Sequence, residues 1–441
     1  MSAPDQTRWP SPAHAWGMVT LLFLAGVFSV IDRGVLAIVV DPVRQDIGIG
    51  DEQVALLQGL AFGLFYAIMG MPMGLLADRV SRKHLVATGI GLWSLATIAS
   101  GLAQGFGSLF AARLMVGLGE AALGPCAISL IADLFPPERR GRPISLYMMG
   151  QGLANGLAIV LTGLVLTHAA QGAFTGLPLL EALAPWRVAF VLFGAGGIGV
   201  AAAMALLTRE PERKGASIPA SAKGVAGKAE LQWLWANRGL TVPLYLAFAI
   251  CFTAAYGAGA WTPTLLLRGY GVSPAFLGTW LGPFAMAFSA TGPLLGGYLL
   301  DRAMQRGRTG ARFTILTLAP LCAIPSALAV LAPDPRLAAV LVASSNAVFA
   351  CVGTVMFATL QTLVPANMRG SAISLTLVLN TLLGATLGPL LVATITERLF
   401  GNPAMVGWSI ALVAIPCVLI SSLLYAIAGK STHAAFHSRT G

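Results

Sequence analysis

An acidic and a basic residue stand side by side in an otherwise apolar segment near the start of the chain. Asp32 and Arg33 lie within the run from Ala15 to Val40, which is long enough to cross a membrane. Two further ionisable residues, Arg113 and Glu120, lie within another apolar run. Because a charge at the centre of a membrane helix costs about 2.5–3.5 kcal/mol on insertion scales, such residues are by default candidates for function.

These four side chains could exchange a proton and a counter-ion. At a rise of about 1.5 Å per residue, Asp32, Arg33 and Arg113 should lie at similar depths, with Glu120 near the middle of the hydrocarbon. Arg113 and Glu120 are seven residues apart and share a helix face. We expect Asp32 and Glu120 to respond to protons, with Arg33 and Arg113 as their shifting counter-ions and as anion ligands. The simpler alternative is a static buried salt bridge that holds two helices in register.

The composition predicts a helical protein with many membrane spans. The chain has 441 residues, of which 56% are hydrophobic and 10% charged, with a mean hydropathy of +0.79. A soluble protein carries about 25% charged residues. The five cysteines are scattered through apolar runs, with neither a disulfide framework nor the spacing of metal ligands. There is also no P-loop, and we expect no cofactor, no bound metal and no enzymatic activity.

We predict twelve membrane spans, each about 20 residues or longer. Their expected limits are 16–40, 52–77, 84–103, 107–134, 143–167, 186–207, 240–267, 274–300, 311–331, 336–363, 370–394 and 404–428. The polar stretch 208–239 divides them into two sextets. We therefore expect an N-terminal six-helix bundle (1–207), a cytoplasmic linker (208–239), a C-terminal six-helix bundle (240–430) and a tail (431–441).

The distribution of basic residues predicts the orientation. If both termini are cytoplasmic, the termini and the inward loops hold about 20 of the 27 Lys and Arg residues, and the outward loops about five. This asymmetry follows the positive-inside rule. It also explains the net charge of +10 without a nucleic-acid partner.

The two sextets carry related sequences. LFPPERRGRPISL (Leu134–Leu146) aligns without gaps with LVPANMRGSAISL (Leu363–Leu375), with seven identities at a separation of 229 residues. GLLADR (Gly74–Arg79) corresponds in the same way to GYLLDR (Gly297–Arg302). Two parallel six-helix repeats joined by a linker are typical of a transporter that rocks about a site near the membrane midplane.

Two motifs resemble those of the major facilitator superfamily. GLLADRVSRK (Gly74–Lys83) resembles the signature loop between the second and third spans, with Ser81 in place of a glycine. RLMVGLG (Arg113–Gly119) is similar to the fourth-span motif. The resemblance implies an all-α membrane protein with twelve transmembrane helices in two pseudo-symmetric six-helix bundles, the major facilitator fold. The adjacent Asp32 and Arg33, with Glu120, are similar to the Spinster-type branch, whose members are associated with export of lysophospholipids and sphingoid phosphates.

The resemblance also implies a cytoplasmic gate. Asp78 would cap the eleventh helix near Gly370, because free N–H groups at a helix start attract an anion. Arg82 would pair with Asp133 at the inner end of the fourth span. The full set of gate candidates is Gly74, Asp78, Arg79, Arg82, Asp133, Arg140, Asp301 and Arg369. Ordinary solvated loop charges are the alternative.

The second sextet has no ionisable residue well inside a span. Aromatic residues at helical spacing on the seventh span form one stripe, which packing or lipid contact also explains: Tyr245, Phe248, Phe252 and Tyr256. Tyr245, Phe252, Tyr256, Asn346 and Asn380 are candidates for substrate binding in this half, and Gln151 and Asn155 in the first half. A cavity that is charged on one wall and apolar on the other suits an amphiphile.

These observations predict a secondary active transporter that works by alternating access. We expect a monomer in a bacterial inner membrane, coupled to protons, that carries an amphiphilic anion such as a lysophospholipid. The alternatives are a proton symporter of small organic anions or sugar acids, in which Arg33 and Arg113 bind the carboxylate, and a membrane sensor or lipid scaffold that transports nothing.

Overall fold

The computed structural model describes residues 9–213, 228–308, 310–365 and 368–437. Every regular element in these ranges is helical. Eleven helices within them are long and apolar enough to cross a membrane. In lipid a spanning helix satisfies its own backbone hydrogen bonds, so long apolar runs must become helices.

The first six predicted spans are present within a few residues of their expected limits. They are Pro12–Ile38, Asp51–Gly70, Arg82–Gly101, Phe106–Leu134, Gly141–Ala170 and Pro185–Leu207. The helix of the second span continues to Arg79.

The second sextet follows the same order. Five of its spans are Arg238–Gly269, Ala311–Leu331, Pro335–Leu363, Ala372–Phe400 and Pro403–Ser431. The predicted eighth span, 274–300, is helical over 274–305 but is not among the eleven apolar helices. Its main helix, Gly282–Gln305, contains four glycines and two prolines, which lower its hydropathy. The linker contains the short helix Lys228–Ala236.

The described residues nearest the two termini and those at the two ends of the linker lie at one end of the bundle, which we call the terminal end; the opposite end is the far end. His14 Nε2 lies 3.1 Å from the main-chain oxygen of Arg209, so the start of the first span meets the start of the linker. A Cβ on Gly239 would lie 3.9 Å from Ser431 Oγ, so the end of the linker meets the last span.

The hydrophobic cores show how the two halves meet. One core joins first-half residues such as Val35, Leu57 and Trp186 to second-half residues such as Trp261 and Val392. Two other cores lie nearer the terminal end, and each belongs to one half. Among the described residues, the halves therefore share a core at the far end, whereas each of the two cores nearer the terminal end belongs to one half.

Glycines bring the fourth span close to its neighbours and so position Glu120. A Cβ on Gly117 would lie 2.3 Å from the Phe62 oxygen of the second span, and one on Gly119 would lie 2.7 Å from the Gly89 oxygen of the third. Such distances exclude any side chain, which is how small residues act between membrane helices. The first helical segment of the fourth span ends at Glu120, and helix resumes at Leu123.

Several spans depart from regular α-helix where the two halves meet. The second span has a break at Gly59 between two helical segments. The seventh span ends in a π-helical turn at Leu265–Gly269, and the eleventh contains one at Asn380–Ala385. Such π-helical turns are frequent at functional sites.

Candidate functional site

Arg33 is the member of the charged cluster that reaches solvent. Its side chain is 36% exposed, and the residue lies five residues before the end of the 27-residue first helix, Pro12–Ile38. The guanidinium lies over the Phe62 ring at 5.0 Å from the centroid, and Tyr66 and Tyr256 are near enough to interact with its charge. Because Tyr256 belongs to the seventh span, Arg33 faces a space between the two halves.

Glu120 lies next to Arg33 and is buried. Its side chain is 1% exposed, and Oε2 lies 3.3 Å from Arg33 Nε. The same oxygen accepts a hydrogen bond of 2.7 Å from Ser29 Oγ, and Ser29 Oγ in turn accepts one from Arg33 Nη2 at 3.0 Å. Glu120 Oε1 is buried with no hydrogen-bond partner among the described residues. The Arg33 side chain thus contacts a buried carboxylate on one side and is accessible from open space on the other.

Asp32 points away from this space into the first half. It is fully buried, and Oδ2 accepts a hydrogen bond of 3.1 Å from Thr97 Oγ1 on the third span. Arg113 Nη1 donates to the main-chain oxygen of Asp32 at 2.9 Å, and the Arg113 guanidinium lies 5.1 Å from the Phe190 ring centroid. Asp32 Oδ1 and Arg113 Nε have no hydrogen-bond partner within the described part of the chain.

The four predicted charges therefore form one cluster but differ in their access to solvent. Arg33 and Glu120 form an ion pair that connects the first and fourth spans. Arg33 alone of the four is partly exposed in this conformation, since Asp32, Arg113 and Glu120 are at most 2% exposed. The physical reason is that neighbouring residues on a helix face different directions, so Asp32 and Arg33 cannot share one environment.

The aromatic stripe of the seventh span divides between core and cavity. Tyr245 and Phe248 are buried, and Tyr245 OH donates to the Ala372 oxygen at 3.3 Å. Phe252 is half-buried, and Tyr256 is 41% exposed. Packing thus explains the half of the stripe nearer the terminal end.

Aromatic and amide groups continue this wall of the second half. The ring of Phe252 lies 6.1 Å from Tyr256 and 6.2 Å from Phe349. Asn380 Nδ2 donates to Tyr256 OH at 3.4 Å, while Asn380 Oδ1 is buried with no hydrogen-bond partner among the described residues. Asn346, on the tenth span, is half-buried.

The fifth span contributes two amides to the first half. Gln151 is half-buried and packs against the first span, because a Cβ on Gly26 would lie 3.5 Å from Gln151 Cγ. Asn155, one turn further along, is exposed. Both residues therefore remain candidates for contact with a substrate.

At the terminal end, Arg82 is held within the first half. Its guanidinium contacts Asp133, and Nη1 also donates to Ser129 Oγ at 2.9 Å. Its Nε donates to Glu210 Oε1 at 2.9 Å. The expected contact between Arg82 and Asp133 is thus present, whereas its role in a gate stays a prediction.

Residue Glu210, at the start of the linker, caps the third span. Its Oε2 accepts hydrogen bonds from the Lys83 main-chain N–H at 2.7 Å and from Ser81 Oγ at 2.9 Å. Partial burial acts to raise the pKa of Glu210, but the hydrogen bonds from Lys83, Arg82 and Ser81 outweigh it and hold that pKa below its ordinary value.

The other gate candidates make few contacts between the halves. Arg79 and Asp301 are exposed, and Arg140 Nε donates to the Phe135 oxygen at 3.0 Å. A Cβ on Gly74 would meet nothing within 4 Å. The main-chain oxygen of Asp78 accepts a hydrogen bond from Arg213. The side chain of Arg369 and the surroundings of Gly370 lie outside the described residues, so the expected cap on the eleventh helix stays a prediction.

At the far end, an ionic network connects the halves, and sequence reasoning missed it. Arg268, on the seventh span, donates from Nη2 to Asp41 Oδ1 at 2.6 Å and from Nη1 to Asp51 Oδ2 at 2.8 Å. Arg398 Nε donates to Glu52 Oε1 at 2.6 Å. The sequence feature that could have predicted this network is that arginines and carboxylates both occur in outward loops that carry few charges.

A further far-end contact closes the same region. Glu397 Oε1 accepts a hydrogen bond from the main-chain N–H of Asp51, at the start of the second span. A carboxylate at this position complements the positive end of the helix dipole. The molecule is therefore closed at its far end.

The charged cluster does not have the composition of a metal centre. No group of three or more His, Cys, Asp or Glu side chains suited to a metal ion occurs in the described ranges. Chemically, the cluster can bind an anion at Arg33 and carry negative charge on the buried carboxylates of Asp32 and Glu120.

Comparisons with known proteins agree with this architecture. The model of the Major Facilitator Superfamily matches residues 22–389. An MFS-type efflux pump of Mycolicibacterium smegmatis is 26% identical over 437 residues, covering 97% of this chain and 97% of that protein. A probable L-galactonate transporter of Escherichia coli is 27% identical over 300 residues, which cover 65% of this chain and 62% of that protein. The chain thus spans less than two thirds of the length of the second relative.

One solved structure is similar over nearly the whole chain. It is the crystal structure of a bacterial homolog of the human lysosomal transporter Spinster, in an inward-facing and unoccupied conformation. The TM-score is 0.79 at 25% identity, with 96% of this chain and 98% of that chain covered. These relatives are transporters and not enzymes.

Proposed function

Because the chain belongs to the Major Facilitator Superfamily and is Spinster-like, we propose that it is a proton-coupled secondary transporter of an amphiphilic organic anion. It is an integral membrane protein with multiple spans. A lysophospholipid or a sphingoid phosphate is the substrate class that we favour, and alternating access is the mechanism.

The observation that carries the proposal is the position of Arg33 between Glu120 and open space. An anion that enters the space between the halves can approach Arg33 directly, since its side chain is 36% exposed. The anion then competes with Glu120 for the guanidinium. A buried carboxylate that loses its counter-ion is costly to leave charged, so Glu120 would take up a proton. Substrate binding and proton uptake would be coupled in this way.

Asp32 is the second acid in the proposal. Asp32 Oδ1 has no hydrogen-bond partner among the residues that the structure describes, and Arg113 donates to the Asp32 main-chain oxygen on the buried side of the first helix. A change in its protonation would alter the contacts among the first, third and fourth spans. We propose that this change favours one conformation over the other, with Arg113 as the shifting counter-ion.

The apolar wall opposite Arg33 favours an amphiphile. Phe252 lies beside both Tyr256 and Phe349 on the second half, and Tyr256 is near enough to Arg33 to interact with its charge. A polar head at Arg33 would leave an acyl chain beside these rings. Apolar surface buried in this way contributes about 25 cal/mol per Å².

We also propose an orientation and a conformational state. Under the positive-inside rule, the terminal end is cytoplasmic, so a molecule closed at its far end faces inward. The likeness to an inward-facing bacterial Spinster homolog supports this assignment. The bacterial relatives favour an inner membrane, and we propose that one chain suffices for transport.

A symporter of small organic anions or sugar acids is the second candidate. It is favoured by the similarity to a probable L-galactonate transporter and by amides that could bind hydroxyl groups. In this alternative, Arg33 would bind the carboxylate. A membrane sensor or lipid scaffold would differ from both candidates in showing no proton flux that depends on substrate.

Transport in proteoliposomes tests the proposal. We would measure proton flux with an enclosed pH dye on addition of lysophosphatidic acid or gluconate, and then let each compete with the other. We expect Arg33→Gln to reduce substrate-dependent flux at least ~10-fold, because a charged hydrogen bond contributes about 1.5–3 kcal/mol. Arg139→Gln, in an exposed loop, is the matched control. Equal flux in Arg33→Gln and wild type would refute the role of Arg33.

A further inference from the structure

A cavity surrounded by arginines lies at the terminal end of the second half, between the end of the eighth span and the start of the ninth. It has a volume of about 360 Å³, and its walls include Leu299, Ala303, Arg308, Ala311, Thr314 and Ile315. A second cavity, of about 330 Å³, adjoins it and shares four of these residues. The second cavity is also lined by Tyr298, Arg302 and Arg306.

The residue spacing on the eighth span brings charge and apolar surface together there. Leu299, Arg302, Ala303 and Arg306 are three or four residues apart, so they share one face at the end of the helix Gly282–Gln305. Asp301 is the only acid between residues 299 and 315 of the sequence. It is two residues from both Leu299 and Ala303, which places it on another face.

A glycine turn brings Arg308 back to the same face. Gly307 has a φ of +71°, in the left-handed region that glycine favours. The Gly307 N–H donates to the Met304 oxygen at 2.9 Å, and the Arg308 N–H donates to the Ala303 oxygen at 3.1 Å. This pair of hydrogen bonds is a common way to end a helix. It holds Arg308 beside Ala303, at the junction of the two cavities.

The corresponding loop of the first half has acids to balance its charge. There Arg82 contacts Asp133 and Glu210. Asp133 directly precedes the first copy of the repeated sequence, and a neutral residue, Thr362, directly precedes the second copy.

The cavity arginines have no such acids. Arg302 contacts Tyr298 OH and lies 5.7 Å from the centroid of that ring, which is a neutral partner. Arg302, Arg306 and Arg308 form no ion pair with any residue that the structure describes. The cavity walls therefore carry positive charge that is available to an anion.

The ninth span presents this region to lipid rather than to the space between the halves. It packs chiefly against the eighth, tenth and twelfth spans, all of its own half. Leu299 is 39% exposed, and Leu318, one turn beyond Thr314, is 56% exposed. Because the eighth span ends and the ninth begins here, the arginines lie at the depth of lipid headgroups and the leucines nearer to the acyl chains.

We propose that this cavity binds an anionic phospholipid, with the phosphate at Arg302, Arg306 and Arg308 and an acyl chain along Leu299 and Leu318. A guanidinium can donate two parallel hydrogen bonds to a phosphate, and basic pockets between membrane helices suit lipid headgroups of this charge. The cavity lies apart from Arg33, so the inference does not depend on the proposed substrate.

Native mass spectrometry of the purified full-length protein tests the site. Phosphatidylglycerol and phosphatidylcholine with the same acyl chains would be added in turn. We expect the wild type to retain phosphatidylglycerol at least ~10-fold more strongly, because each arginine near a phosphate contributes about 5-fold in affinity. Arg302→Gln combined with Arg308→Gln should reduce this preference below about 2-fold and leave phosphatidylcholine unchanged.

A second variant tests the cavity without removing charge. Ala311 lines both cavities, so Ala311→Trp should fill them and also reduce the preference below about 2-fold. Millimolar inorganic phosphate should not displace phosphatidylglycerol, because it gains nothing from the apolar wall. Displacement by phosphate would indicate a site for free anions and overturn the lipid assignment.

Arg139→Gln combined with Arg142→Gln is the matched control, since it removes the same charge from exposed positions at the junction of the fourth and fifth spans. It should keep the full preference for phosphatidylglycerol. An equal loss in the control would show that net charge alone attracts the lipid, and would overturn the site. The proposal would also fail if the wild type showed no preference, or if the preference survived in Arg302→Gln with Arg308→Gln or in Ala311→Trp.

Discussion

Arg268 and Asp51 connect the two halves of the molecule at its far end. They are 217 residues apart in sequence, and Arg268 Nη1 donates to Asp51 Oδ2 at 2.8 Å. Asp51 is fully buried, and the side chain of Arg268 is 8% exposed. A charge pair that is this well shielded from solvent is stronger than one on a surface, and breaking it leaves an unpaired buried charge.

Loss of this pair should open the far end. In Arg268→Gln we expect the population open at the far end to rise at least ~10-fold, equivalent to about 1.4 kcal/mol. Pulsed electron paramagnetic resonance between spin labels at Gln171 and Leu331 would measure the separation of the halves there.

Arg336→Gln is the control for this experiment, because Arg336 lies over the Trp280 ring of its own half. The control should keep the distance distribution of the parent protein. A distribution in Arg268→Gln that matched the control would show that the network does not hold the end closed.

Replacement of Asp32 should uncouple transport from pH. Asp32→Asn keeps an oxygen for the hydrogen bond from Thr97 Oγ1 but removes the titrating group. We expect substrate uptake into proteoliposomes to lose its dependence on the pH gradient while binding persists. Asp334→Asn, which retains the cap on the tenth span, should behave like the wild type. Unchanged pH dependence in Asp32→Asn would reject its role as a proton-responsive acid.

The contact at Gly59 should tolerate no side chain while the far end is closed. A Cβ at this position would lie 2.5 Å from the Ala385 oxygen, and backbone atoms cannot move aside as a flexible side chain can. We expect Gly59→Val to destabilise the closed conformation by about 1–3 kcal/mol, and thermal unfolding would occur at a lower temperature. Gly91→Val has no atom within 4 Å of the new Cβ and serves as the control. Equal melting temperatures for the two variants would contradict this prediction.

The cap formed by Glu210 should weaken in acid. The pKa of Glu210 is held below its ordinary value, so its ionised form stabilises the fold above that ordinary value, about 4.3, and the contribution is lost as pH falls through the lowered pKa. Since the carboxylate is partly exposed, we expect Glu210→Gln to cost only about 0.5–1 kcal/mol at pH 7. The difference in melting temperature from wild type should shrink below pH ~4.

Glu212→Gln is the matched control, because Glu212 is exposed and two residues away. It should melt at the same temperature as the wild type at pH 7. A Glu210→Gln deficit that stayed constant between neutral and acidic pH would mean that the ionised carboxylate is not the stabilising group.

The site was only partly predictable from the sequence. The sequence predicted that Asp32, Arg33, Arg113 and Glu120 would act together, because unmatched charges in apolar spans must find each other, but not that Arg33 would pair with Glu120. The sequence could not predict where the Asp32 side chain points. That direction depends on how the first helix is rotated against neighbouring spans, which carry Thr97 and Phe190.

The sequence by itself determined the spans, their order and the division into two halves. The cause is local: hydrocarbon accepts only segments that satisfy their own backbone hydrogen bonds, so each long apolar run must be a helix. Only the tertiary structure decided which end is closed and which of the clustered charges meets solvent. Those properties depend on contacts between distant residues, such as Arg268 with Asp51 and Gly59 with Ala385, which no local pattern encodes.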